Sequence, residues 1–180
     1  MGDAIIGVFS DIHSNLEALQ AVLEDMDAFG LRRRYCLGDI VGYAANPGEC
    51  LEIVRSLSCP TVKGNHDAAV ADDFSFHLMG DAARSGVEFS RRMLDSEQTA
   101  YLASLPLALA EKHYQFVHSS LETPHAWTYI ISHGEAAVHF RAQTETLYFC
   151  GHTHIPMLWH LKRNWQGARA PRNWANFFTV

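Results

Sequence analysis

Apolar residues run without a break from Ala4 to Phe9 and stop at the polar stretch Ser10-Asp11-Ile12-His13. A short run without alternation predicts a strand buried on both faces. The period then changes: Leu16, Leu19, Val22, Leu23 and Met26 recur at helical spacing and give an apolar stripe. Ser14 is expected to cap this helix, with Glu17 closing a capping box, and Gly30 to end it. Arg34 to Leu37 reads as a second strand, ending at Gly38-Asp39. Asn46-Pro47 opens a second helix, with Leu51, Ile53, Val54 and Leu57 behind it. Pro60 to Lys63 reads as a third short strand, ending at Gly64-Asn65-His66-Asp67. This alternation predicts a mostly parallel sheet with crossover helices.

The second half repeats the logic. From about Asp72 to Leu105 the pattern is helical, with no linker. Leu107 to Ala110 and Tyr114 to Val117 flank Glu111-Lys112-His113 and predict a hairpin that begins a second sheet, its second arm ending at His118. Ser132 and Glu135 form a capping box ahead of a helix to about Ala142. Thr146 to Cys150 is a further strand, ending at Gly151-His152-Thr153-His154, and Ile155 to Trp159 is expected to begin one more. Without repeats or low-complexity segments, residues 1–180 read as a single α/β domain with an atypical tail from about residue 161.

Composition narrows the class. A hydrophobic content of 48% with 19% charged residues belongs to a soluble globular domain. A net charge of -6, without aromatic and basic interleaving around the motifs, argues against a nucleic-acid channel. The basic residues Lys162, Arg163, Arg169 and Arg172 lie in a stretch free of acidic residues and read as a solvated terminus. Met1-Gly2-Asp3 and the run behind it are too short and too acidic for a signal peptide, and no apolar stretch reaches membrane-spanning length. Cys36, Cys50, Cys59 and Cys150 lack CxxC spacing, and Cys36 and Cys150 are expected as buried thiols. These features predict a cytoplasmic protein without a membrane partner.

Five motifs remain, each behind an apolar run: Asp11-Ile12-His13, Gly38 to Gly42, Gly64 to Asp67, His118, and Gly151 to His154. In open α/β sheets ligands gather beyond the carboxyl ends of strands, where these motifs fall. Asp11 and His13, alternating along an extended segment, are expected to point to one side. Asp39 follows Gly38 at the next strand end and could bridge two metals, with Gly38 and Gly42 allowing tight backbone geometry around it. Asn65 adds a neutral oxygen; His118, His152 and His154 add imidazoles. Taken alone, a strand-end Asp is more often a turn or N-cap residue, and a lone His more often a satisfied surface or core histidine. Their joint occurrence at successive strand ends points to one dinuclear site. A mixed oxygen and nitrogen set suits manganese, zinc, iron or nickel better than calcium or magnesium.

On these motifs, over roughly residues 4 to 160, the chain resembles the calcineurin-like metallophosphoesterases in their short bacterial and archaeal phosphodiesterase branch. The resemblance implies a four-layer αββα sandwich of two mixed sheets flanked by helices. It implies two divalent metal ions, manganese first, one held by Asp11, His13, Asp39 and His154. Asp39 then bridges to a second held by Asn65, His118 and His152. A water between the two ions would lose its proton near neutral pH and attack phosphorus. His66 is implied as the catalytic acid at the leaving oxygen, while Asp67 is expected to anchor its loop.

Two departures qualify the resemblance. Protein serine/threonine phosphatases of the superfamily continue with Asp-Arg-Gly where this chain has Gly42 and Tyr43 after Val41, so the residue orienting the acid histidine and the phosphate-clamping arginine are both missing. That favours a small phosphodiester or nucleotide-like substrate. After His154 the chain lacks the usual Asn-Pro-Gly-Ser-type turn, so the closing strands are expected to be absent, replaced or supplied by a partner chain. Trp165, Trp174, Phe177 and Phe178 would then pack over the sheet edge or form a homo-oligomer contact. The competing function is a non-catalytic scaffold of the same fold, like the retromer subunit, which has lost ligands and the acid histidine that this chain keeps. His77, His113, His133, His139 and His160 are expected at the surface, whereas His125, Tyr43 and Asn46 are candidates for the cleft wall.

Overall fold

The computed structural model describes residues 5–72 and 76–161. Strand β1 (Gly7–Phe9) runs parallel to β2 (Arg34–Cys36), with Gly7 opposite Arg34 and Phe9 opposite Cys36. Parallel neighbours need a crossover, which α1 (Leu16–Ala28) supplies. Asn15, not Ser14, caps that helix: its side-chain oxygen accepts from the Ala18 N–H at 3.1 Å. Ser14 is unavailable because its left-handed backbone (φ 61°) and its N–H, bound to the Ile40 carbonyl, belong to the preceding loop.

Helix α2 (Pro47–Leu57) starts on Asn46-Pro47 as expected. The expected third strand shrinks to one bridge between Thr61 and Cys36. Pro60 has no N–H to extend the ladder, and the Lys63 N–H goes to the Pro106 carbonyl instead. Helix α3 (Asn65–Ala71) begins inside the Gly64 to Asp67 motif, and α4 (Asp81–Met93) and α5 (Ser96–Ser104) complete the helical middle.

The second sheet is a β3 (Ala108–Glu111) and β4 (Tyr114–Val117) hairpin, with β5 (Leu147–Phe149) parallel to β4 and α6 (His133–Ala142) crossing over between them. At the start of α6 the Ser132 hydroxyl accepts from the Glu135 N–H, while the Glu135 carboxylate reaches Ile131, one residue beyond a capping box. The strand expected at Ile155 to Trp159 does not form: the Thr153 hydroxyl turns the chain at Ile155, and Pro156 offers no ladder donor. The expectations about the tail from residue 162 lie outside the described residues.

Side chains of the first sheet alternate between two cores. Phe9 and Cys36 join Leu19, Met26, Leu51, Val54 and Val87 beneath the helices. Val8 and Tyr35 point the other way, toward Val62, Phe116 and Phe149. Tyr35 stacks on Phe116 at 4.1 Å between centroids, and Phe116 on Phe149 at 5.5 Å. The sheets therefore pack face to face. On the outer side of β5, Tyr148 lies 3.5 Å from the buried ring of His139 on α6. Helices, sheet, sheet and helix follow in that order, the layering that the resemblance implies. No helix among the described residues is long and apolar enough to cross a membrane.

Candidate metal centre

The loops leaving β1 and β2 are zipped together by their backbones. Asp11, His13 and Ser14 donate their N–H groups to the carbonyls of Gly38, Asp39 and Ile40 at 2.9–3.1 Å. Asp11 and His13 therefore do not alternate along an extended segment. Both have left-handed φ, 57° and 49°, as do Asp39 (52°), His152 (68°) and His154 (54°). Such a conformation costs a non-glycine residue about 1–3 kcal/mol and persists where surrounding bonds impose it. At Asp39 those bonds come from Asp67. Its buried carboxylate accepts the N–H groups of Asp39, Ile40, Val41 and Gly64 at 2.8–3.3 Å, the anchoring role expected of it. Burial and the neighbouring charge of Asp39 push the Asp67 carboxyl up to about 7, against these amides, which favour its ionised form.

All seven candidate ligands converge. Three histidines each have one ring nitrogen fixed by a backbone carbonyl: Nδ1 of His13 by Val41 (3.2 Å), Nδ1 of His118 by Leu37 (2.8 Å) and Nε2 of His152 by Trp127 (2.9 Å). A carbonyl only accepts, so these nitrogens carry protons, and the opposite ones are the atoms left to face a cation. Such partners set the tautomer of metal-binding histidines. His13 Nε2 lies 3.1 Å from His154 Nε2 and 3.5 Å from Asp39 Oδ2; His118 Nε2 lies 3.2 Å from that same oxygen and 3.1 Å from Asn65 Oδ1. His154 Nε2 also meets Asp11 Oδ1 at 3.3 Å. Asp39 thus stands between one group of Asp11, His13 and His154 and another of His118 and His152. Its second oxygen holds the His66 N–H at 2.8 Å.

This donor set fits a pair of cations. Asp39 and His118 are almost wholly buried, at 1% and 0% exposure. Burial opposes charge on both, yet their mutual attraction outweighs it: His118 is raised to about 9 and Asp39 held well below the usual carboxylate range. A proton therefore neutralises a cluster otherwise made of lone pairs, and a divalent cation would take over that task. His152, by contrast, is pushed down to about 4 by burial and by the charge of His118, which leaves it neutral and ready to donate.

His66 also lies at the centre. Its ring is 4.6 Å from His13, and burial lowers it to about 4. Its buried Nδ1 has no hydrogen-bond partner, because Gly42 occupies the adjacent space (φ 95°) and a Cβ there would overlap that nitrogen. Of the expected cleft residues, Tyr43 borders a cavity beside His66, while Asn46 stands at the N-terminal boundary of α2 and His125 is exposed on a short turn, both outside that lining. Trp127 and Tyr129 border the cavity too, and sequence reasoning missed them. Two aromatic residues in a polar stretch nine and eleven positions after His118 were the available signal. His139, expected at the surface, is 2% exposed.

Two packed sheets with carboxylate and imidazole donors at their strand ends define a metallophosphoesterase class of domain. A model of the calcineurin-like phosphoesterase superfamily domain matches residues 5–166, and the chain belongs to that superfamily. It is 39% identical over 162 residues to an uncharacterised protein of Methanocaldococcus jannaschii, covering 88% of this chain and 65% of that one. A metallophosphoesterase from Sphaerobacter thermophilus superposes with a TM-score of 0.72 at 40% identity, covering 84% of this chain and 61% of its own. A hypothetical protein from Pyrococcus horikoshii shares the fold, with a TM-score of 0.67 at 22% identity over 76% of this chain and 64% of that one. The chain spans a little under two thirds of the length of these relatives.

Proposed function

We propose that this chain hydrolyses a small phosphodiester or nucleotide-like substrate with two divalent cations, manganese first and zinc, iron or nickel after it. The observation that carries this reading is the set of three carbonyl-locked histidines, the free nitrogens of His13 and His118 meeting Asp39, Asn65 and His154, with His154 in turn on Asp11. In this reading Asp11, His13, Asp39 and His154 hold one cation, and Asp39, Asn65, His118 and His152 the other. When bound, the cations supply charge for the phosphoryl oxygens and acidify water at neutral pH. His66, buried, next to Asp39 and neutral in the free site, takes up a proton beside the anionic phosphate, whose charge favours the imidazolium, and gives it to the leaving oxygen as its bond to phosphorus breaks. The carbonyls of Val41, Leu37 and Trp127 keep the three imidazoles from turning. Gly42 in place of an orienting carboxylate beside His66 supports a small diester over a phosphoprotein.

The test is hydrolysis of bis(p-nitrophenyl) phosphate by the manganese-loaded protein. Chelation should abolish it and manganese restore it. Asp39→Asn removes the shared charge and should lower kcat/KM by about a hundredfold or more. Equal rates for the two proteins would remove Asp39 from its role. A protein that binds manganese but turns over no phosphoester would be a scaffold.

A further inference from the structure

Asn65 and His66 border a cavity of about 260 Å3 that also takes in Tyr43, Trp127 and Tyr129. Ligand pockets usually measure about 300–1,000 Å3, so this one admits a single small group and not a peptide loop. Its aromatic members are tied to the centre. Tyr43 leans on His66 at 4.6 Å between centroids, and Tyr129 lies flat on His152 at 4.0 Å and 18°. Trp127 supplies the carbonyl that fixes His152, and its indole meets the His118 ring edge-on at 6.1 Å between centroids. Leu78 and Met79 make the rest of the lining apolar. Among the described residues, no lysine, arginine or carboxylate lines it. Apart from the cation that Asn65 and His152 would hold, a second phosphate would find no counter-charge there, and a base edge no acidic acceptor.

Resting on the reading of the centre as a phosphoesterase site, we infer that this cavity receives the leaving half of the substrate, and that this half is a flat, π-faced group, aryl or nucleoside. His66 stands in the lining, so the group entering here is the one whose oxygen it protonates. Recognition is by stacking and exclusion of water, which discriminates flat from aliphatic groups and hardly one base from another. Tyr43 and Trp127 are the specificity-determining side chains.

The experiment compares three diesters of methyl phosphate whose second alcohol is ethanol, phenol or the 5′-hydroxyl of adenosine. Wild type, Trp127→Leu and Tyr43→Leu are assayed with manganese, with metal content measured for each. Comparing variant with wild type on each ester cancels the intrinsic reactivity of the leaving group. Loss of a stacking ring costs about ten- to a hundredfold. That factor should appear in KM for the phenyl or adenosyl ester, with the ethyl ester within about twofold. A response confined to one of the two flat esters supports the inference and names the source. An equal loss on all three, or none, overturns it while leaving the hydrolase reading intact. Adenosine titrated into the metal-free protein gives a readout independent of turnover. It should quench tryptophan fluorescence in wild type and much less in Trp127→Leu. If no ester is hydrolysed the hydrolase reading fails, and absent quenching then removes the cavity assignment as well.

Discussion

Gly42 lets His66 sit where it does. Its left-handed backbone and the overlap that any Cβ would make with the imidazole exclude a side chain without displacing the ring. Gly42→Ala should lower kcat by about a hundredfold, the lower range for loss of a general acid. Manganese content should stay near the wild-type value, because the atoms nearest to such a Cβ all belong to His66 and not to a candidate ligand. Metal analysis beside single-turnover rates checks both halves. The ligands themselves were legible in the sequence, since each pairs a metal-competent side chain with the end of an apolar run. Their backbone conformation was not. A left-handed glycine announces itself, but Asp11, His13 and Asp39 are held left-handed by carbonyls and a carboxylate that come from elsewhere in the chain.

Helix α6 shows what amphipathic patterns conceal. Its start at Ser132 and its end near Ala142 could be read directly, yet its inward face carries His139, a residue that polarity assigns to solvent. Nδ1 of His139 accepts the Leu121 N–H at 3.2 Å, and burial lowers its pKa to about 4 from an ordinary 6.5. Between those values the unfolded chain takes up a proton that the folded one refuses. The stability from this group is complete above about pH 6.5 and drains away as pH falls toward 4. At pH 5 the loss amounts to about 2 kcal/mol. Urea denaturation of the metal-free protein at pH 7.5 and 5.0 measures it, with His139→Asn as the reference. Asparagine keeps an acceptor for Leu121 but cannot titrate, so the variant should lose less stability between the two pH values. An unchanged pH dependence would place His139 in solvent. Pro60 to Lys63 erred in the opposite sense: its residues suit a strand, but a proline at the start and a carbonyl on another segment leave it one bridge.

At the scale of the molecule, the two sheets meet through Tyr35, Phe116 and Phe149, while the donors arrive from loops on both. Phe116→Ala should cost about 3–5 kcal/mol and lower Tm by about 10 °C. Affinity for manganese should weaken with it, since Asp39 belongs to one sheet and His118 and His152 to the other. Thermal melts with and without metal would show both, and an unaltered affinity would mean that the loops hold together without the stack. The span of the donors along the chain also sets an order of events in the cell. Asp11 leaves the ribosome well before His154, by on the order of ten seconds at about 5–20 residues per second. During that interval the nascent chain carries the carboxylates of Asp11 and Asp39 and the imidazoles of His13 and then His118, which any passing cation can occupy loosely. Only the last loop completes the pair of sites, so the choice of metal falls to the finished protein and to the ions around it at that moment.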